Sequence, residues 1–113
     1  MDMFYALAEP KRRSIIEMLA NQGQLPATAI SGAFRISSSA VSQHLKVLRE
    51  AKLVVMEKRA QQRIYQLNPE AILEIEAWAK QTTRIWSERF DVLDKVLEAE
   101  KNKAKGGTDG RKQ

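Results

Sequence analysis

The stretch SSSAVSQHLKVLRE, residues 37–50, sorts its side chains by chemistry. Wound as a helix, it gathers Val41, Leu45 and Leu48 within about 60° of arc, and Ala40, Val47 and Ala51 widen that apolar side. Ser39, Ser42, Gln43, Lys46, Arg49 and Glu50 fill the opposite arc. An ordinary solvated face mixes Lys with Glu, whereas this one offers hydroxyls, an amide and two cations against a single acid. Such groups suit the recognition of a polar, anionic surface.

Other residues invite catalytic or metal readings and do not support them. His44 is the only histidine and there is no cysteine, so disulfides and thiolate metal sites are excluded. Zinc and softer ions need several nitrogen or sulfur ligands, and a lone His beside an apolar arc points to packing or hydrogen bonding. Glu70/Glu74 and Asp91/Asp94 are carboxylate pairs with no nucleophile or metal cluster near them in the pattern, so no catalytic residue is assigned. Trp78 and Trp86, at helical spacing, fit a core or an interface better than a ligand pocket. The expectation is a protein that is not an enzyme and carries no cofactor.

Charge is distributed along the 113 residues in blocks. From Arg35 to Arg63 seven bases face Glu50 and Glu57 alone; from Glu70 to Glu100 eight acids face four bases. Residues 101–113 add five bases against Asp109 and supply most of the net +5. A basic middle followed by an acidic segment suits a nucleic-acid contact in the middle and another role at the end. The chain shows neither a run of about 18 apolar residues nor a signal-peptide pattern, so a cytoplasmic location and no membrane partner are expected.

These residues need a scaffold. Met3–Leu7 reads as a short helix; Pro10 opens a second, with Ile15, Ile16, Met18 and Leu19 inward, up to Gly23. Leu25-Pro26 opens a third helix through Ala27, Ile30 and Phe34, and Ser37 caps the fourth. Helix, short link and helix form a helix-turn-helix. Leu53–Met56 and Arg63–Leu67 are β-prone runs around a polar, basic tip, the pattern of a hairpin with no Asn-Gly or Gly-Gly to define its turn. Asn68-Pro69 starts a last helix that runs to about Glu100 without a further Gly or Pro, roughly 48 Å at 1.5 Å per residue. Ile72, Ala79, Trp86 and Leu93 recur every seven residues along it, with Ile75, Ile85, Phe90, Val96 and Leu97 widening the stripe. That spacing is a partner-seeking seam. The expected fold class is mainly α with a small β-hairpin: residues 1–100 form one domain, with a nucleic-acid contact in its middle and a partner-seeking helix at its end, and 101–113 a flexible basic tail.

The segments LAEPKRRSIIEML (Leu7–Leu19), SSSAVSQHLKVLREAKLV (Ser37–Val54) and RIYQL (Arg63–Leu67) resemble the ArsR family of bacterial winged helix-turn-helix repressors, from Met1 to about Leu97. The resemblance implies a homodimer on a pseudo-palindromic site in double-stranded DNA. Ser38, Ser39, Ser42 and Gln43 would approach base edges, Lys46 and Arg49 the phosphates, and Lys58, Arg59 and Arg63 would form the wing. Phe4 and Leu7 would join Ile75, Trp78, Ile85, Trp86, Phe90 and Leu93 in the dimer interface. Family members often carry Gly where Lys52 and Gln61 stand, and metal-sensing members use thiolates or His/Asp/Glu clusters. This chain therefore looks like a member without a metal switch. The residues also leave open a winged-helix protein-interaction module acting through the long last helix.

Overall fold

Capping residues set the helix starts in the first half of the chain, and the computed structural model describes residues 2–104. In α1 (Met3–Leu7), the Asp2 carboxylate accepts from the Tyr5 amide at 3.1 Å. In α2 (Pro10–Gln22), Glu9 accepts from the Lys11 amide at 2.8 Å and Pro10 takes the first position, where no amide is needed. Gly23 ends α2 at φ +89°, a conformation that L side chains rarely adopt. Ser37 caps α4 (Ser38–Glu50), its Oγ accepting from the Ala40 amide at 3.1 Å.

Helix α4 stops in a six-residue closure: the Lys52 amide donates to Arg49 O at 2.9 Å and the Leu53 amide to Leu48 O at 3.0 Å. This closure puts Lys52 at φ +63°, in the left-handed region that favours glycine. The Asn68 side chain donates to the Lys52 carbonyl at 2.8 Å, bracing the strained residue from the start of the last helix.

Leu25-Pro26 does not open a helix. Gln24–Pro26 forms a three-residue strand, β1, and helix α3 begins only at Ala27 and ends at Gly32. Pro26 lies extended at ψ 154°, and β1 pairs antiparallel with Gln66, Tyr65 and Ile64, a partner strand far along the chain. The hairpin is also longer than its β-prone runs: β2 (Val54–Arg59) pairs with β3 (Gln62–Leu67), drawing Glu57, Lys58 and Arg59 into the ladder. Only Ala60 and Gln61 remain as the turn, and the positive φ, 55°, falls on Ala60 rather than Gln61. The sheet order is β1-β3-β2.

Helix α5 spans Pro69–Ala104, four residues past Glu100, so the segment expected as tail from Lys101 begins helical; residues 105–113 lie outside the described residues. The chain divides into two compact units, one ending at Glu74 and one starting at Ile75. The first holds the core, in which Ile15, Leu19, Ile30, Val41, Leu48 and Leu53 are less than 2 % exposed. Each such side chain contributes about 1.5–3 kcal/mol of burial. The second unit has no such core: from Glu76 to Glu100, every residue with a described side chain except Asp94 is exposed. Three N-terminal helices, a capped fourth, a hairpin and a long final helix make a winged helix-turn-helix with a three-stranded sheet.

Candidate nucleic-acid interface

The wheel drawn from the sequence matches α4 in three dimensions. Val41, Leu45 and Leu48 are 0–2 % exposed, anchoring the helix, while Ser38, Ser39, Ser42, Gln43, Lys46 and Arg49 are all exposed. Beside the hydroxyls an open groove of about 370 Å³ runs between α3 and α4, rimmed by Thr28, Ser31, Ser38 and Ser42. The only acid on this helix, Glu50, is its last residue.

The wing residues Lys58, Arg59 and Arg63 are exposed as well, but they are not equivalent. Lys58 and Arg63 stand directly opposite one another in the hairpin register. Like charges in that relation destabilise a ladder, so the pair favours an anion between or above them. Arg59 is already engaged: its Nε and Nη2 reach the two Glu57 carboxylate oxygens, each at 3.3 Å, and Nη2 also donates to Gln24 Oε1 at 3.1 Å. It braces the turn end of the wing to β1 and shares its charge with Glu57.

A cluster behind α4 escaped the sequence reading. Arg12 is 8 % exposed, the one buried charged residue among the described residues. Its Nε donates to Ala6 O at 2.7 Å, its Nη2 to Tyr5 O at 3.4 Å, and its guanidinium carbon lies 5.4 Å from the Tyr5 ring centre. Its Nη1 lies 3.3 Å from Nδ1 of His44, whose Nε2 is 4.0 Å from Glu9 Oε1. His44 thus has the packing and hydrogen-bonding role expected of it. Partial desolvation raises the Glu9 carboxyl, but the Lys11 amide, the His44 and Lys11 charges and the Arg12 amide together hold it below the ordinary carboxylate value. A usable signal existed: Arg12, Ile15 and Leu19 share one helix face at spacings of three and four.

The residues expected at a dimer interface are apolar and largely uncovered. On α1, Phe4 is 42 % exposed and Leu7 half-buried. On α5, Ile75 is half-buried, and Trp78, Ile85, Trp86, Phe90 and Leu93 are exposed, Trp86 by 60 %. Trp86 and Phe90 stack with ring centres 5.2 Å apart. The six α5 residues fall within about 140° of arc, one continuous band. Trp86 therefore does not fill the core of its own chain.

A family model described as "Bacterial regulatory protein, arsR family" matches residues 9–55, from the α2 cap through the start of β2. The HTH-type transcriptional regulator Rv2034 of Mycobacterium tuberculosis is 35% identical over 84% of this chain and 85% of its own length. The transcriptional repressor SdpR of Bacillus subtilis is 30% identical over 68% of this chain and 84% of its own. Among solved structures, the ArsR-like transcriptional regulator from Rhodococcus sp. RHA1 superposes with a TM-score of 0.72, covering 82% of this chain and 87% of that one. At 19% identity, that likeness concerns the fold alone.

Proposed function

Because the chain belongs to the ArsR family and is a DNA-binding transcription regulator rather than an enzyme, we propose that it is a homodimeric, cytoplasmic repressor of a pseudo-palindromic operator. The observation that carries this reading is α4: an anchored helix whose exposed face is hydroxyl, amide and cation, beside a wing with two apposed bases. Gln43 has the paired donor and acceptor that match adenine in the major groove, and Ser38, Ser39 and Ser42 serve either kind of base edge. Lys46, Arg49, Lys58 and Arg63 neutralise phosphates, while Arg59 contributes more as a brace than as a free cation.

One recognition helix covers few base pairs, so two copies set about 34–36 Å apart supply specificity. The uncovered band of α5 is the surface that a second copy would cover, and Phe4 and Leu7 of α1 would take part in the same dimer. A folded partner of another kind on that band would mark an interaction module instead, and it would form one-to-one complexes in place of a dimer.

No metal switch is assigned. The chain has no cysteine, and its one imidazole is committed to Arg12 and Glu9. Zinc, cadmium or arsenite added without buffer thiols should leave a preformed DNA complex intact, and release at stoichiometric metal would overturn that assignment. The test of the whole reading is selection of bound duplexes from a random pool, followed by titration at several salt concentrations. An inverted repeat and a steep salt slope are expected, because phosphate neutralisation releases counterions. Recovery of no preferred sequence would sink it.

A further inference from the structure

We propose that Arg12 is a positioning residue for DNA readout, tying the end of α1 to α4 through His44, and that the tie opens when His44 takes up a second proton. The inference rests on the reading of α4 as the DNA-facing helix. A guanidinium only donates, so at the 3.3 Å contact His44 Nδ1 must be the acceptor. The neutral ring then carries its proton on Nε2, the nitrogen that faces Glu9 Oε1 at 4.0 Å. A single tautomer satisfies both sides: a donor on one, a carboxylate on the other.

Arg12 has little freedom to follow the ring if it moves. Two of its nitrogens are held by the Ala6 and Tyr5 carbonyls, and its plane lies near the Tyr5 ring. All of these partners belong to α1, the helix that carries Phe4 and Leu7. The tie therefore links the element expected at the partner copy to the helix expected at the DNA.

Protonation replaces the Nδ1 lone pair with a hydrogen that faces the Arg12 donor. The hydrogen bond is lost and two cations are apposed, while Glu9 attracts the ring from the other side. Glu9, the cap of α2, and Arg12 of α2 are the charged groups that meet the ring, and the one ionisable group of α1 is the Tyr5 phenol, whose ring lies near Arg12. Helix α3 has no ionisable residue. In β2, Glu57 and Arg59 pair with each other, and Lys58 points from the wing register opposite Arg63, with no bond to the ring. The ring thus exchanges Arg12 for Glu9. Gln43 adjoins His44 on α4, so losing the Arg12 contact releases the turn that presents Ser42, Gln43 and Lys46 from its tie to α1.

The measurement is the ratio of affinities for the selected duplex and its scrambled counterpart, in which the general attraction of an added positive charge to phosphate cancels. For the unaltered protein this ratio should fall about tenfold as the solution is taken from neutral to mildly acidic, the order expected for one lost charge-assisted hydrogen bond. His44→Gln offers an amide oxygen to Arg12 and does not titrate, so its ratio should stay level. Arg12→Lys keeps a cation at the α1 carbonyls without the planar second donor; its ratio should be low at both ends and insensitive to pH. His44 is the only histidine, so its ring nitrogen shifts in the free protein are unambiguous. They should show Nδ1 unprotonated in the neutral ring. A neutral ring protonated on Nδ1, or equal pH profiles for the unaltered protein and His44→Gln, overturns the proposal. If no duplex is selected, the DNA reading fails separately, and the nitrogen shifts still accept or reject the tie.

Discussion

The segment ending at Glu74 and the helical arm beginning at Ile75 obey different rules of stability. The first buries a full set of large apolar side chains, satisfies its helix ends with Asp2, Glu9 and Ser37, and closes a three-stranded sheet. The second displays Trp78, Ile85, Trp86, Phe90 and Leu93 to solvent. Isolated helices are marginal in water, and most helical stability in proteins comes from packing an apolar face. A reading head can thus be complete within one chain, while the arm reaches its full stability only against another surface.

Removing a buried side chain from the first segment should have the largest effect. Leu48→Ala is expected to lower stability by about 2–5 kcal/mol, through lost burial and the cavity left behind. Urea denaturation should show a shifted midpoint, and an unchanged midpoint would mean that Leu48 does not anchor α4. Trp86→Ala is expected to cost roughly 2–4 kcal/mol of dimer stability instead, since interface energy concentrates in central aromatics. Sedimentation at low concentration should find folded monomers with weakened operator binding. A mutant that stays dimeric and binds normally would erase the contrast between the two segments.

Within the reading head the effects should separate further. Gln43→Ala is expected to weaken specific binding by about 1–3 kcal/mol and leave a scrambled duplex nearly unaffected. Lys46→Ala should weaken every sequence alike and reduce the salt slope by about one. Arg59→Ala should change the slope less than Lys46→Ala, because Glu57 already shares its charge; equal slopes would contradict that division. Lys52→Gly should give the smallest change, a gain of no more than about 1 kcal/mol, from relieving a positive φ at the end of α4. Thermal unfolding measures it.

What the sequence showed best was what a few neighbouring residues decide. Ser37 as a cap, Pro10 as an opening, Gly23 as a stop and the two-sided pattern of α4 all depend on groups within one or two turns. The features it hid depend on partners brought from far away. Strand β1 exists because Tyr65 and its neighbours arrive beside Leu25, and nothing near Leu25-Pro26 announces them. Arg12 is buried because His44 lies 32 residues away in sequence and the α1 carbonyls fold back over it. Glu57, Lys58 and Arg59 read as part of a hairpin tip, since their inclusion in the ladder depends on the turn tightening to Ala60-Gln61. The exposed polar face of α4 proposed for DNA contact was legible residue by residue; the unequal surroundings of Lys58, Arg59 and Arg63 emerged only with the register and side-chain partners.

The order of the two segments along the chain also gives the regulator a timetable. The reading head emerges before the arm during synthesis and holds a core of its own, so its folding is expected to be a first-order event, domain by domain as chains generally do. The arm follows, and in the proposed dimer its maturation is second-order, waiting on collision with another copy. Newly made protein would then pass through a folded but unpaired stage whose lifetime shortens as copies accumulate. Occupancy of a two-half-site operator would rise more steeply than the amount of protein, and a cell could set the threshold for silencing through expression level alone.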